Sequence, residues 1–187
     1  MKNLKFTLSI IMLTVGGLMF TSCHKARPLP KEMNGKLYLS QNLWYEHPQK
    51  IYSVGYKAGA ILPAGTEVND IKVSRKAIYF KLADSAQQYR MLYQQKFSVL
   101  PAMQFADRLF TQKTLPELTK GFTPAERQFI KTGTLTKGLS KAAVLIGYGY
   151  PPAHRTPSTQ GNLWRYWTNR WLTQQLAFND KDKLISF

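Results

Sequence analysis

Residues 71–82, IKVSRKAIYFKL, place Ile71 and Val73 before a polar Ser74-Arg75-Lys76 turn and Ile78, Phe80 and Leu82 after it. A period of two puts these apolar side chains on one face of a hairpin, and such a face must be covered to be stable in water. The same rhythm recurs from Leu37 in LYL, LWY, IYSV, AILPAGTEV and DIKVS, with Pro63 and Gly65 marking a turn. Residues 37–84 therefore predict a small antiparallel β module. The only cysteine is Cys23, so no intrachain disulfide can staple the fold and it must stand on its core.

From Ser85 to Gly133 the spacing turns helical. Tyr89, Leu92, Tyr93, Lys96 and Phe97 share one helical face, Pro101 breaks the run, and Met103, Ala106, Leu109 and Phe110 resume it. Residues 85–122 are thus expected to be a helical connector. Thr123-Pro124-Ala125-Glu126 is a helix start with an N-cap threonine, a first-turn proline and a capping-box glutamate, and Gly133 suits the C-cap. Ser140 caps a second helix over Ala142 to Ile146, closed by Gly147 and Gly149. After a proline-rich loop, PPAHRTPSTQGN, three strands are expected at Leu163 to Trp167, Trp171 to Phe178 and Leu184 to Phe187. The predicted fold class is α+β: a β module, a helical linker, and an α-α-β-β-β domain over residues 123–187.

Strand parity sorts the aromatic residues of the meander. Trp164 and Tyr166 share one face, with Leu172, Leu176 and Phe178 expected to join them in the core. Helices cover only one face of a three-stranded sheet. Arg165, Trp167 and Trp171, with the turn residue Arg170, then form an aromatic and basic face, either packed on the N-terminal module or open to a partner. His154 and Arg155, in the proline loop, are the second candidate contact, suited to an anion.

Little in the chain suggests catalysis. His24, His47 and His154 are not at metal-ligand spacing, the acids are few and scattered, and no nucleophile-elbow or phosphate-loop pattern occurs. Neither enzymatic activity, a cofactor nor a metal is expected. The stretch IGYGYP reads as helix termination by glycine and not as an ion filter. The formal charge is +16, and without Lys2 and Lys5 residues 23–187 carry +14, divided as +5, +4 and +5 over 24–85, 86–136 and 137–187. Such even spreading favours general attraction to anionic surroundings over a shaped nucleic-acid groove, and no nucleic-acid partner is expected. Anionic lipid, lipopolysaccharide, peptidoglycan and acidic proteins are the available anions.

Lys2 and Lys5 precede an almost wholly apolar run from Leu8 to Phe20. That is the form of an export signal over residues 1–22, and it is short of the ~20 apolar residues of a membrane span. Phe20-Thr21-Ser22-Cys23 resembles the lipobox of bacterial lipoproteins. The resemblance implies that Cys23 carries the lipid, and the following HKARPLPKEMNGK, with two prolines, a glycine and little to bury, makes residues 23–36 a tether. His24 after the cysteine implies the outer membrane, with the domain facing the periplasm. Gly138, Leu139, Ser140, Lys141 and Val144, the Gly149 and Pro151 exit, and the Trp164 and Tyr166 strand resemble the SmpA/OmlA (BamE-type) lipoproteins. That resemblance implies a non-enzymatic binding or scaffolding subunit with envelope protein partners, in outer-membrane protein assembly. The strand rhythm and PAGT turn of residues 37–84 look like bacterial SH3-like modules, which implies the alternative of a peptidoglycan or cell-wall binding protein.

Overall fold

The structure is a computed structural model that describes residues 27–29 and 35–187. The signal segment 1–22, Cys23, His24 and tether residues 25–26 and 30–34 lie outside the described residues. The protein is mixed α+β. Its first half holds β1 (Arg27–Pro28), β2 (Leu37–Leu39), β3 (Leu43–Tyr45), β4 (Ile51–Tyr52), β5 (Ala60–Leu62), β6 (Glu67–Val73), β7 (Ala77–Leu82), β8 (Gln88–Leu92), α1 (Gln95–Ser98), α2 (Ala102–Leu109), β9 (Phe110–Thr111) and α3 (Leu115–Leu118). One sheet runs in the order β4-β8-β7-β6-β2-β9, with β1 also paired to β6, while β3 and β5 form a separate ribbon.

The β6–β7 hairpin is the one that alternation predicts, its turn closed by Ser74 N–H donating to the Ala77 carbonyl at 2.8 Å. Ile71, Val73, Ile78 and Phe80 are buried. A bulge between Asn69 and Lys72 resets the alternation, so that Val68 and Ile71, three residues apart, are both buried; Asp70 takes a positive φ of 49° there and pairs with Lys72 and Lys81 at 2.8 and 3.1 Å.

Three expectations for this half are corrected. The helical reading fails at 88–92, where β8 pairs antiparallel with β7 and parallel with β4. Tyr89, Met91 and Tyr93 are buried, a period of two that a five-residue run cannot separate from a helical one. The β region is accordingly not purely antiparallel, and its core extends to Ala106, Leu109 and Phe110, past residue 84. The tether too has a fixed portion, since Arg27 and Pro28 pair with Val73 and Lys72 and Leu29 packs against the first core.

The second half consists of α4 (Pro124–Thr132), α5 (Lys141–Gly147), β10 (Leu163–Trp167), β11 (Thr173–Phe178) and β12 (Leu184–Ser186), the strands forming an antiparallel meander. Thr123 caps α4 through Glu126 N–H, Gly133 ends it at φ 68°, and the Ser140 hydroxyl accepts from Ala143 N–H at the start of α5. Trp164, Tyr166, Leu176, Phe178 and Leu184 pack on Phe129, Ile130, Ala143 and Val144.

Glu126 does more than close a capping box. Its Oε2 accepts from Thr123 N and Oγ1 at 3.0 and 3.1 Å, and its Oε1 accepts from Ser140 N and Lys183 Nζ at 3.0 and 3.2 Å. One buried carboxylate thereby ties the starts of both helices to the strand-entry residue Lys183. Burial opposes its ionisation, but these hydrogen bonds outweigh burial and hold its pKa at about 2.

The two cores are joined at Asn42, which is 1% exposed. Its Nδ2 donates to the carbonyls of Ile130 at 2.7 Å and Gly147 at 3.1 Å, its Oδ1 accepts from Ala64 N–H at 2.8 Å, and its backbone N–H donates to Ile146. The last carbonyls of α4 and α5 are thus satisfied by one side chain from the first half. Beside it the Trp44 ring lies so close to Gly133 that a Cβ there would come within 2.4 Å, and the positive φ independently favours glycine.

Candidate functional site

The outward residues of β10 meet the proline loop. Strand parity directs Leu163, Arg165 and Trp167 away from the buried Trp164 and Tyr166, and the exposure pattern follows it. Thr156, itself buried, accepts from Arg165 N–H through Oγ1 at 2.9 Å and holds the loop along the strand edge. His154 then stacks on Trp167, with ring centroids 6.4 Å apart and planes 15° apart, and touches Phe97 at 4.9 Å. The Arg155 guanidinium lies 5.4 Å over the Trp167 ring. Trp167 is half-buried, and its Nε1 is buried with no hydrogen-bond partner among the described residues. Four of the six expected residues, His154, Arg155, Arg165 and Trp167, therefore share one surface, with the loop covering part of the tryptophan.

Arg170 and Trp171 stand apart from that stack, at the β10–β11 connection. Thr168 N–H and Oγ1 both donate to the Leu172 carbonyl, at 3.0 and 3.1 Å, closing a turn over residues 168–172. Inside it Asn169 Oδ1 accepts from the N–H groups of Trp171 and Leu172 at 2.8 and 2.9 Å. This asparagine turn corrects two expectations: β11 begins at Thr173 and not Trp171, and Leu172 is 62% exposed instead of joining the core. Trp171 is 80% exposed, with the Arg170 guanidinium 5.9 Å from its ring. These hydrogen bonds from the backbone and from the Thr168 and Asn169 side chains hold the tip, so two large apolar side chains are presented to solvent on an ordered turn.

Lys57, beneath this surface, was not anticipated. Its backbone N–H is shared between the carbonyls of Trp167 and Thr168, at 3.2 and 3.1 Å, which docks the 53–59 loop onto the end of β10. Its Nζ donates to the Tyr148 carbonyl and lies 5.0 and 5.3 Å from the Tyr148 and Tyr166 rings. Burial of the ammonium lowers its pKa from 10.5 to about 7. Its sequence context, an isolated lysine in VGYKAGAIL, was the available signal.

Chemically the surface offers aromatic faces, guanidinium groups and an apolar tip, the makings of recognition. Among the described residues no group of three or more His, Cys, Asp or Glu side chains could hold a metal ion, and no helix is long and apolar enough to cross a membrane. No protein-family model matches the chain, and neither a curated protein nor a solved structure matches it.

Proposed function

We propose that the protein is a lipid-anchored, non-enzymatic binding or scaffolding subunit of the bacterial envelope. Cys23 carries the lipid, the membrane is the outer one, and the domain faces the periplasm. It docks on an envelope protein partner through the 168–172 tip. The observation that carries this reading is the tip itself: Trp171 and Leu172 are 80% and 62% exposed on a turn held by five hydrogen bonds. Tryptophan and arginine are enriched at binding hot spots, and an ordered tip has prepaid much of the entropy of docking. The order of α4, α5 and the three-stranded meander is also the order that the SmpA/OmlA resemblance implies, and it supports a place in outer-membrane protein assembly.

The test is co-purification of the lipidated chain from crosslinked envelopes, wild type against a Trp171→Ala, Leu172→Ala double variant. A partner that is recovered with wild type and lost with a normally folded, normally localised double variant supports the proposal. Recovery of the same companions by both proteins refutes the tip as the docking site.

A further inference from the structure

A second candidate site lies on the other side of the same turn, where the first half of the chain meets the meander. β4 supplies Tyr52, the 53–59 loop supplies Tyr56, and the two rings form a tilted pair with centroids 5.1 Å apart. Together with Glu46, Lys50, Asn169 and Arg170 they line an open cleft of ≈ 230 Å³. A much smaller recess, lined by the same Glu46, Lys50, Tyr52 and Tyr56 together with Trp44 and Tyr45, adjoins it. Lys50 Nζ lies 5.9 Å from the Tyr52 ring, and Arg170 is near enough for its charge to bear on the Tyr56 hydroxyl. Burial is the larger influence on that hydroxyl and raises its pKa. Gly59, with φ 82°, packs its α-carbon so close to the Tyr45 carbonyl that a Cβ there would come within 2.2 Å, which fixes the return of the loop behind the cleft.

We propose that this cleft binds an anionic saccharide, a sugar ring bearing a carboxylate or a phosphate. Two tyrosine faces suit the C–H face of a sugar ring, where a purely apolar ligand would leave the surrounding polar groups unpaired. Two cations against one carboxylate favour a negative ligand. A guanidinium can take a carboxylate or phosphate through paired N–H donors, while Glu46 accepts from hydroxyl groups. In an envelope protein the sugar comes from the lactyl-bearing glycan of the wall or from the acidic, phosphorylated core of lipopolysaccharide. That choice of source rests on the functional reading above, but the cleft chemistry does not.

Isothermal titration of the full chain, purified in detergent, tests this with three probes. These are the N-acetylglucosamine–N-acetylmuramic acid disaccharide, phosphorylated 3-deoxy-octulosonic acid, and neutral di-N-acetylchitobiose. Saturable binding of either acidic probe, at least tenfold tighter than chitobiose, supports the proposal and names the source. Arg170→Ala and Tyr52→Ala should each weaken that binding tenfold or more. The exposed charge variant Lys137→Ala should leave it unchanged, and so excludes a general effect of net charge. Arg170 is on the surface, so its variant keeps the measurement meaningful if Tyr52→Ala fails to fold. The proposal is overturned by no saturable heat with any probe up to about 10 mM, a concentration that corresponds to binding weaker than ~3 kcal/mol. Chitobiose binding as tightly as the acidic probes, or wild-type affinity in Arg170→Ala, overturns it equally. None of these readouts involves a protein partner, so failure here leaves the docking tip untouched, and failure of the tip leaves the cleft.

Discussion

Replacing Lys57 with methionine should stabilise the protein at low pH and not at high pH. The ammonium sits between two tyrosine rings with no carboxylate paired to it among the described residues, and burial lowers its pKa from 10.5 to about 7. A drop of that size corresponds to roughly 5 kcal/mol at 1.36 kcal/mol per pKa unit. The unfolded chain holds this proton up to its ordinary pKa, the folded chain only to about 7. Stability therefore rises with pH between those values, and the full penalty stands below them. Methionine fills a similar volume without charge, but forfeits about 1 kcal/mol for the bond to the Tyr148 carbonyl and about 1–2 kcal/mol of cation–π attraction. The net gain at pH 6 is then on the order of 2 kcal/mol, or roughly 4–8 °C in Tm for a chain of this size. Near pH 10 the amine is neutral in the fold and only about 1 kcal/mol of the penalty is left, which the lost hydrogen bond offsets, so the two proteins should be about equally stable. Denaturant melts of both proteins at pH 6, 8 and 10 read the difference directly. A difference that stays flat with pH, or a variant less stable at pH 6, would refute the burial of this charge.

Glu126→Gln should cost about 2–3 kcal/mol at neutral pH. The carboxylate pKa is depressed from 4.5 to about 2, so its stabilisation is present above 4.5 and lost as pH falls toward 2, and acid titration of the variant should be flatter in that window. Asn42→Ala leaves the Ile130 and Gly147 carbonyls and the Ala64 N–H without their buried partner, and a loss of about 3–5 kcal/mol is expected in urea melts. Trp164→Ala, emptying a site that is 0% exposed, should cost about 3–5 kcal/mol, whereas Trp171→Ala should leave Tm nearly unchanged.

Legibility in the sequence followed the range of the forces involved. The caps at Thr123, Gly133 and Ser140 depend on neighbours within a turn, and so could be read from adjacent residues. Alternation fixed the faces of 71–82 and 163–167 for the same reason, since parity needs no knowledge of what covers the strand. Residues 88–92 were misread because QYRML is too short to distinguish periods, and its fate is decided by β7 and β4 on either side. The joint at Asn42 and the burial of Lys57 rest on partners up to about a hundred residues away. Of the candidate site, the proximity of His154 and Arg155 to Trp167 required the loop to fold back through Thr156, and the displacement of Leu172 to the surface required the Asn169 turn. The six-residue site consequently divides into an exposed stack around a half-buried Trp167 and an open tip.

The measurement that bears most directly on the proposed function is site-specific photocrosslinking in the native envelope, with a photoreactive phenylalanine analogue at position 171 and, in parallel, at the exposed position 137. The account predicts a discrete protein adduct at 171, suppressed by excess wild-type chain and absent at 137. Replacing Leu172 with alanine should weaken that association by about 2 kcal/mol, roughly thirtyfold. Absence of an adduct at 171, or the same adducts from both positions, would contradict a docking role for the tip.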